Sequence, residues 1–392
     1  MTLFHNDAPI LKKHNQTRIH DLPEELLAEI LKLLPVKHIL HCLCVQKSWY
    51  YLIRSPMFIT LQLDYQKTPN NHHPKYLYFE NAYTDVLSLR FDDVQCQEYC
   101  TLKTLPGLPQ HSWRALSYGL ICVSTILWPP RNATQKIYLW NPLVQKYKTL
   151  PDSPLPITKT KWKALAFGFV PEINDYVVVH VVSPCLHLSH GESDPHSVII
   201  GVYNLNTDSW KMLTQDDVFV RMISDSDTVF FNAAAFWVGI SLDKRRILMC
   251  FDTKTDILRE ISLPNYVPYT PGNPIIHLFD QYIAYFVWDS GYDYFDMWVL
   301  RYNSINDFFW EKKMSISPNK DIRVEVLGVR NNGEPILARS YDLISYNLDN
   351  HEAKNFVDSW DSWTPYKYYE EGFAPPFFIS PFVESLVLLD IG

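Results

Sequence analysis

Several groups of residues carry side chains that could do chemistry. His187 and His190 stand three apart beside Cys185, and Cys96 stands four from Cys100, which are metal-ligand types. His72-His73-Pro74 adds two more imidazoles. Carboxylates pair at Asp92-Asp93, Asp216-Asp217, Asp225 with Asp227, and Glu370-Glu371, the material of acid–base catalysis. None of these spacings completes a site. The His187/His190 stretch is a Ser/His/Asp/Pro loop with no second ligand cluster near it, and Cys96–Cys100 has no His pair to join it. The carboxylates sit in turn-rich segments, where Asp bonds its own backbone to start a turn. No His or Lys is spaced to make any pair an acid–base couple. With 12 glycines in all, the chain has no phosphate-cradling loop and no Gly-x-Ser-x-Gly elbow. The sequence predicts no catalytic residue, no metal and no cofactor, and hence a chain that is not an enzyme.

Binding chemistry is better represented. Residues 288–298 run Trp-Asp-Ser-Gly-Tyr-Asp-Tyr-Phe-Asp-Met-Trp, and residues 358–371 repeat the mixture of aromatics and carboxylates. Exposed Tyr and Trp among acids make anchors for a basic protein surface. The candidate recognition residues are Trp288, Tyr292, Asp293, Tyr294 and Asp296 in the first segment, with Trp360, Trp363 and Tyr366 in the second. The competing reading packs these aromatics inward, between elements of the core.

Charge supports a protein partner over nucleic acid. Beyond residue 60 the chain carries 28 basic against 38 acidic side chains, a net of −10. That balance disfavours a phosphate backbone and favours a basic partner by steering. Solubility alone would explain it equally well. No run of 18 apolar residues occurs, so no membrane span is expected. Seven scattered cysteines suggest no disulfide framework and a reducing compartment. Residues 1–17 lack a long apolar stretch and read as a flexible arm without a secretory signal.

Two kinds of element must position these residues. Between 20 and 59 the apolar period is helical. Pro23 suits a first helical turn, and Glu24 and Glu25 complement the positive end of the dipole. Leu26, Leu27, Ile30, Leu31, Leu33 and Leu34 then recur at helical offsets until Pro35. A second helix is predicted from about Lys37 to Lys47, and a third from Ser48, closed by Ser55-Pro56. The first stripe is wider than one neighbouring helix covers. A unit of about 40 residues seldom stabilises itself without a metal, a disulfide or a partner.

The order of these residues resembles the F-box. Leu22-Pro23, Ile30-Leu31, Leu34-Pro35-Val36-Lys37, Ile39-Leu40, Val45 with Lys47 and Trp49, Leu52-Ile53, Pro56 and Phe58 follow that family's pattern. His38, where the family often has a capping Asp or Ser, and Gln46, where Cys is common, depart from it. The resemblance implies docking on the Skp-type adaptor of a cullin–RING ubiquitin ligase. It assigns that interface to Leu22, Pro23, Leu27, Ile30, Leu31, Leu34, Pro35, Leu40, Val45 and Trp49. The alternative is a helical cap used only structurally.

After Phe58 the pattern turns to β: short Val, Ile, Tyr, Phe and Trp runs between Asn, Asp, Pro and Ser clusters. One phrase recurs, a strand that ends in an aromatic followed by Asn or Asp. Its anchors are Trp140, Tyr203, Phe251, Tyr302 and Tyr346, spaced by 63, 48, 51 and 44 residues. Apolar partner strands precede them at 119–123, 176–182, 235–240, 282–287 and 324–329. A period near 50 is that of a four-stranded kelch-like blade. The fold predicted is mainly β with a small α N-terminal module: a three-helix F-box over 18–60, then a kelch-like β-propeller of about six blades over 61–392. The closing strand is expected at Glu384–Leu389, pairing with Tyr76–Glu80. A β-sandwich stack is the competing architecture.

The large domain resembles the plant F-box-associated interaction domain in Leu139-Trp-Asn-Pro142, Leu150-Pro151, Phe167-Gly-Phe169, Asn174–Val178 and Trp210–Leu213. Pro381–Leu386 is similar to the tails of S-locus F-box and S-locus-like proteins, with Phe382 where Tyr is common. The resemblance implies a substrate receptor of a Skp–cullin–F-box ligase. Its partners would be the adaptor, cullin through it, and a protein target; the S-locus branch implies a basic S-ribonuclease. Such a receptor would be cytoplasmic, with the nucleus as an additional compartment. A propeller enzyme and a lectin-like or scaffold protein are the readings that compete.

Overall fold

Proline or serine stands at the start of three of the four described helices. In the computed structural model, α1 (Glu24–Leu31) follows Pro23, α2 (Val36–Cys42) follows Pro35, and α3 (Lys47–Ile53) follows Gln46. The structure describes residues 22–68, 74–81, 86–104, 113–127, 134–155, 160–184, 198–215, 220–241, 245–264, 275–279, 281–289, 294–304, 307–316, 324–339, 342–355 and 377–390. A fourth helix, α4 (Pro56–Lys67), corrects the expectation of three. Ser55-Pro56 opens it rather than ending α3. The Ser55 hydroxyl accepts the Phe58 N–H at 3.2 Å, and Pro56 takes the first helical position, where no N–H is needed. The second helix is also shorter than predicted, with turns over 43–45. Because Pro35 occupies the cap of α2, His38 lies inside its first turn and has no capping duty.

Six four-stranded antiparallel sheets follow. Blade one holds β1 (Tyr76–Asn81), β2 (Val86–Phe91), β3 (Glu98–Leu102) and the last strand of the chain, β24 (Phe377–Phe382). Blade two is β4 (Trp113–Ser117), β5 (Leu120–Leu127), β6 (Thr134–Asn141) and β7 (Lys146–Thr149). Blade three is β8 (Thr160–Val170), β9 (Asp175–Pro184), β10 (Val198–Asn204) and β11 (Ser209–Gln215). Blade four is β12 (Val220–Phe231), β13 (Ala234–Ser241), β14 (Arg246–Asp252) and β15 (Ile257–Ser262). Blade five is β16 (Ile275–Phe279), β17 (Tyr282–Asp289), β18 (Tyr294–Ser304) and β19 (Asp307–Ile316). Blade six is β20 (Val324–Val329), β21 (Pro335–Arg339), β22 (Asp342–Tyr346) and β23 (Ala353–Asn355). The first strands neighbour one another around the ring, from β24 through β4, β8, β12, β16 and β20 back to β24. The six-bladed propeller excludes the β-sandwich stack.

Four of the five aromatic anchors do what the recurring phrase implies. Trp140, Tyr203, Phe251 and Tyr346 end the third strands of their blades and are buried between sheets. Tyr302 is half exposed, because the β18–β19 register shifts beside it, and Leu300 fills the core instead. In blade six the neighbour of the anchor strand is β21, not the 324–329 segment, which is the innermost strand. The short β21 begins with Pro335 and ends with Arg339, which hid it among turn residues.

Ring closure uses a different segment from the one expected. β24 pairs with β1, Tyr76 opposite Phe382 and Asn81 opposite Phe377. Residues 384–389 form no strand. Both alternatives are apolar enough to pair; Phe377–Phe382 wins because its backbone also fits against β20. There Gly328 leaves room for the Ile379 carbonyl, which would lie 2.3 Å from any Cβ at that position. Gly328→Ala is therefore expected to lower stability by about 1–3 kcal/mol, read as a lower urea midpoint. On the same seam, Arg330 Nε bonds Asp92 at 2.7 Å, and the Asn331 backbone N–H donates to the other Asp92 oxygen at 2.8 Å.

Candidate functional site

Helix α1 has two apolar faces, one residue apart in register. Leu27, Ala28 and Leu31 turn inward, into a core with Val36, Ile39, Trp49, Ile53 and Phe58. Leu26 and Ile30, four apart, form the other stripe, continued by Leu33 in the turn that follows the helix; they are 53%, 40% and 53% exposed. Val45 in the α2–α3 turn, Tyr51 in α3 and Met57 in α4 are exposed as well. Burying a leucine completely contributes about 1.5–3 kcal/mol, so covering a half-exposed one contributes about 1 kcal/mol. The outward stripe is apolar surface that nothing in the described part of the chain covers.

The ten residues assigned to docking by resemblance divide three ways. Pro23, Ile30 and Val45 are exposed; Leu22, Leu34, Pro35 and Leu40 are half-buried; Leu27, Leu31 and Trp49 lie inside the helical core. The last three belong to the core of the helical module and are 5% exposed or less. Leu26, Leu33, Tyr51 and Met57, outside that set of ten, are exposed as well. With apolar pairs at Leu26/Leu27, Ile30/Leu31 and Leu33/Leu34, the sequence shows two parallel stripes and gives no sign of which one the core takes.

The helices sit on one end of the propeller. Lys67 of α4 lies 3.9 Å from the Phe169 ring centroid, Lys37 lies over the Tyr99 ring, and Leu143 and Val144 pack on the helical core. Phe169 stands near the end of the first strand of blade three, Tyr99 stands near the start of the fourth strand of blade one, and Leu143 and Val144 lie in the turn between third and fourth strands of blade two. The contacts therefore share the end of the blades where first strands meet second ones and third meet fourth. In antiparallel blades the remaining connections leave from the opposite end. That far end is where β17 finishes and β18 begins, and where β23 finishes and β24 begins.

The acidic aromatic segments therefore join strand ends that point away from the helices. Tyr292, Asp293, Trp360, Trp363 and Tyr366 lie outside the described residues. Trp288 and Tyr294 are placed only as backbone, in the β17–β18 pairs Trp288 to Phe295 and Asp289 to Tyr294. Asp296 departs from the exposed role expected of it. It is buried, accepts the Ser315 hydroxyl at 2.5 Å and pairs with Lys312 at 2.8 Å, all within its own blade.

Of the groups considered for catalysis or metal binding, Asp92 and Asp93 make bonds within the fold. Asp92 belongs to the ring seam, and Asp93 accepts the N–H groups of Gln95 and Cys96 in the β2–β3 turn. Burial pushes the Cys96 thiol up to about 11, so it carries no thiolate at neutral pH. Only the backbone of Asp225 and Asp227 is described, in β12; His72, His73, Cys185, His187, His190, Asp216, Asp217, Glu370 and Glu371 lie outside. Among the described residues no three His, Cys, Asp or Glu side chains are placed to hold a metal, and no helix is long and apolar enough to cross a membrane.

A helical module with an open apolar stripe, carried on a six-bladed propeller, defines an F-box protein of the propeller class. The F-box domain matches residues 19–61 and the F-box associated beta propeller domain residues 43–355, so the chain belongs to that F-box propeller family. One Arabidopsis thaliana F-box protein is 26% identical over 249 residues, 62% of this chain and 61% of its own. F-box protein At5g49610 of Arabidopsis thaliana is 25% identical over 259 residues, 62% of this chain and 65% of its own. The chain thus spans under two thirds of the length of these two relatives. TolB from Acinetobacter baumannii is a distant structural likeness, with 11% identity and a TM-score of 0.43 over 79% of this chain and 66% of that one.

Proposed function

We propose that this chain is the substrate-recognition subunit of a Skp–cullin–F-box ubiquitin ligase. The observation that carries the reading is the Leu26/Ile30/Leu33 stripe: three large apolar side chains along α1 and the turn that follows it, each at least 40% exposed, in a domain of the F-box family. Such a face is stabilised by a partner of matching apolar surface, and a Skp-type adaptor is that partner. The propeller then holds a protein target at its far face, away from the helices. Ubiquitin transfer follows from proximity, since tethering raises the effective concentration of target lysines near the conjugating enzyme. No residue of this chain takes part in bond making.

The acidic balance of the propeller supports a basic target, and the S-locus resemblance of the tail points to an S-ribonuclease. The same reading puts the receptor in the cytoplasm or nucleus. Co-expression with a Skp-type adaptor is expected to yield a stoichiometric complex on gel filtration, with the target identified by mass spectrometry of material captured through the propeller. A folded chain that elutes free of an excess of adaptor would defeat the proposal.

A further inference from the structure

Residues Glu384–Leu389, which add no strand, lie between the helices and the propeller and touch both. On the helical side, Glu384 Oε2 accepts the Val36 N–H at 3.1 Å, and Leu386 and Leu389 complete the core that contains Leu27, Leu31 and Ile53. On the propeller side, Asn141 Nδ2 donates to the carbonyls of Ser385 and Val387, both at 2.9 Å. Leu388 packs with Leu120, Leu139 and Tyr203 in the core between blades two and three. Ser385 occupies the space beside Gly119, whose φ of +81° and missing Cβ permit the approach. Successive residues of one short segment are thus divided between two bodies. Interfaces between domains of one chain are usually small and polar and allow relative motion. This one is filled by leucines and pinned by buried polar bonds, and its root is β24, the strand that closes the ring.

We propose that Glu384–Leu389 is a wedge that fixes the orientation of the helical module on the propeller, so that the open stripe of α1 and the far propeller face keep one rigid relation. The wedge is in place only when β24 has closed the ring, which ties the geometry of the helical face to completion of the propeller. Without it, the helices keep Leu63 and Lys67 of α4, the Lys37–Tyr99 contact and the packing of Leu143 and Val144, and the module swivels on these. The inference concerns the geometry of this chain alone and stands whichever partner covers the stripe.

The test uses the full chain with spin labels on genetically encoded keto amino acids at two exposed positions, Lys47 in α3 and Asp349 in the β22–β23 turn. Pulsed dipolar spectroscopy is expected to give one narrow distance distribution. Truncation after Val383, which keeps β24, should at least double its width, with the β-sheet circular dichroism and the propeller unfolding midpoint retained. Where the truncated chain does not fold, Leu386→Asn with Leu389→Asn carries the test and should broaden the distribution in the same way. A distribution that stays narrow in a folded variant of either kind overturns the proposal.

Discussion

Replacing Leu26, Ile30 and Leu33 together by glutamate is expected to weaken binding to a Skp-type adaptor by about 10³-fold or more, with the melting temperature of the free chain little changed. The three side chains are 53%, 40% and 53% exposed, so in the free chain glutamate meets water at each site. In the complex the loss has two parts. Covering the three apolar groups contributes about 1 kcal/mol each, and that contribution disappears. Each carboxylate is then forced toward an apolar partner surface, which costs several kcal/mol per unpaired charge. About 4 kcal/mol already corresponds to a factor of 10³. Leu31→Glu is the contrasting variant: at 1% exposure it should collapse the helical core and lower the melting temperature along with binding. Titration calorimetry of the triple variant against adaptor decides the matter. Undiminished affinity would mean that the stripe is not the docking face.

Glu384→Gln is expected to stabilise the attachment of the helices at pH 8 and to remove a pH dependence that the unsubstituted chain shows. Burial pushes the Glu384 carboxyl from its ordinary 4.5 up to about 7, opposed by the Val36 N–H that it accepts. The phenols of Tyr99 and Tyr76 and the Cys100 thiol from blade one share its surroundings, and Lys37 of α2 lies over the Tyr99 ring. The folded value lies above the unfolded one, so the folded chain holds a proton that the unfolded chain releases between the two. The stability contributed by the neutral carboxyl is full below about 4.5 and is lost as pH rises through about 7. A shift of this size corresponds to about 3 kcal/mol, of which about 2 kcal/mol falls between pH 5.5 and 8. Glutamine keeps an acceptor for Val36 and never ionises. Urea unfolding of both chains across this range, followed by the helical signal, should give a difference that grows with pH. A flat difference, or a variant less stable at pH 8, would show that the carboxylate is welcome in its site.

Several features of the fold were legible because they are local. Pro23 and the acidic first turn mark α1, and the aromatic-Asn/Asp phrase marks third strands, since each rests on bonds within a few residues. Ser55-Pro56 was misread because the same pair can follow one helix and open the next. Tyr302 was misread because a register shift between neighbouring strands leaves no local trace. The choice of closing strand was not legible for a related reason. Phe377–Phe382 and Glu384–Leu389 are both apolar, and only the neighbours distinguish them: Gly328 beside Ile379 for the first, and the helical core for the second.

By itself, then, the order of residues determined the kind of protein this is: a helical module too apolar to stay uncovered, followed by blades spaced at about 50 residues. The tertiary structure alone decided which leucine stripe stays open, which segment closes the ring, and that the acidic aromatic segments depart from the end opposite the helices. The physical reason is that periodicity reports what a residue can bury, whereas the surface it buries against comes from elements hundreds of positions away, as when Glu384 reaches back to Val36.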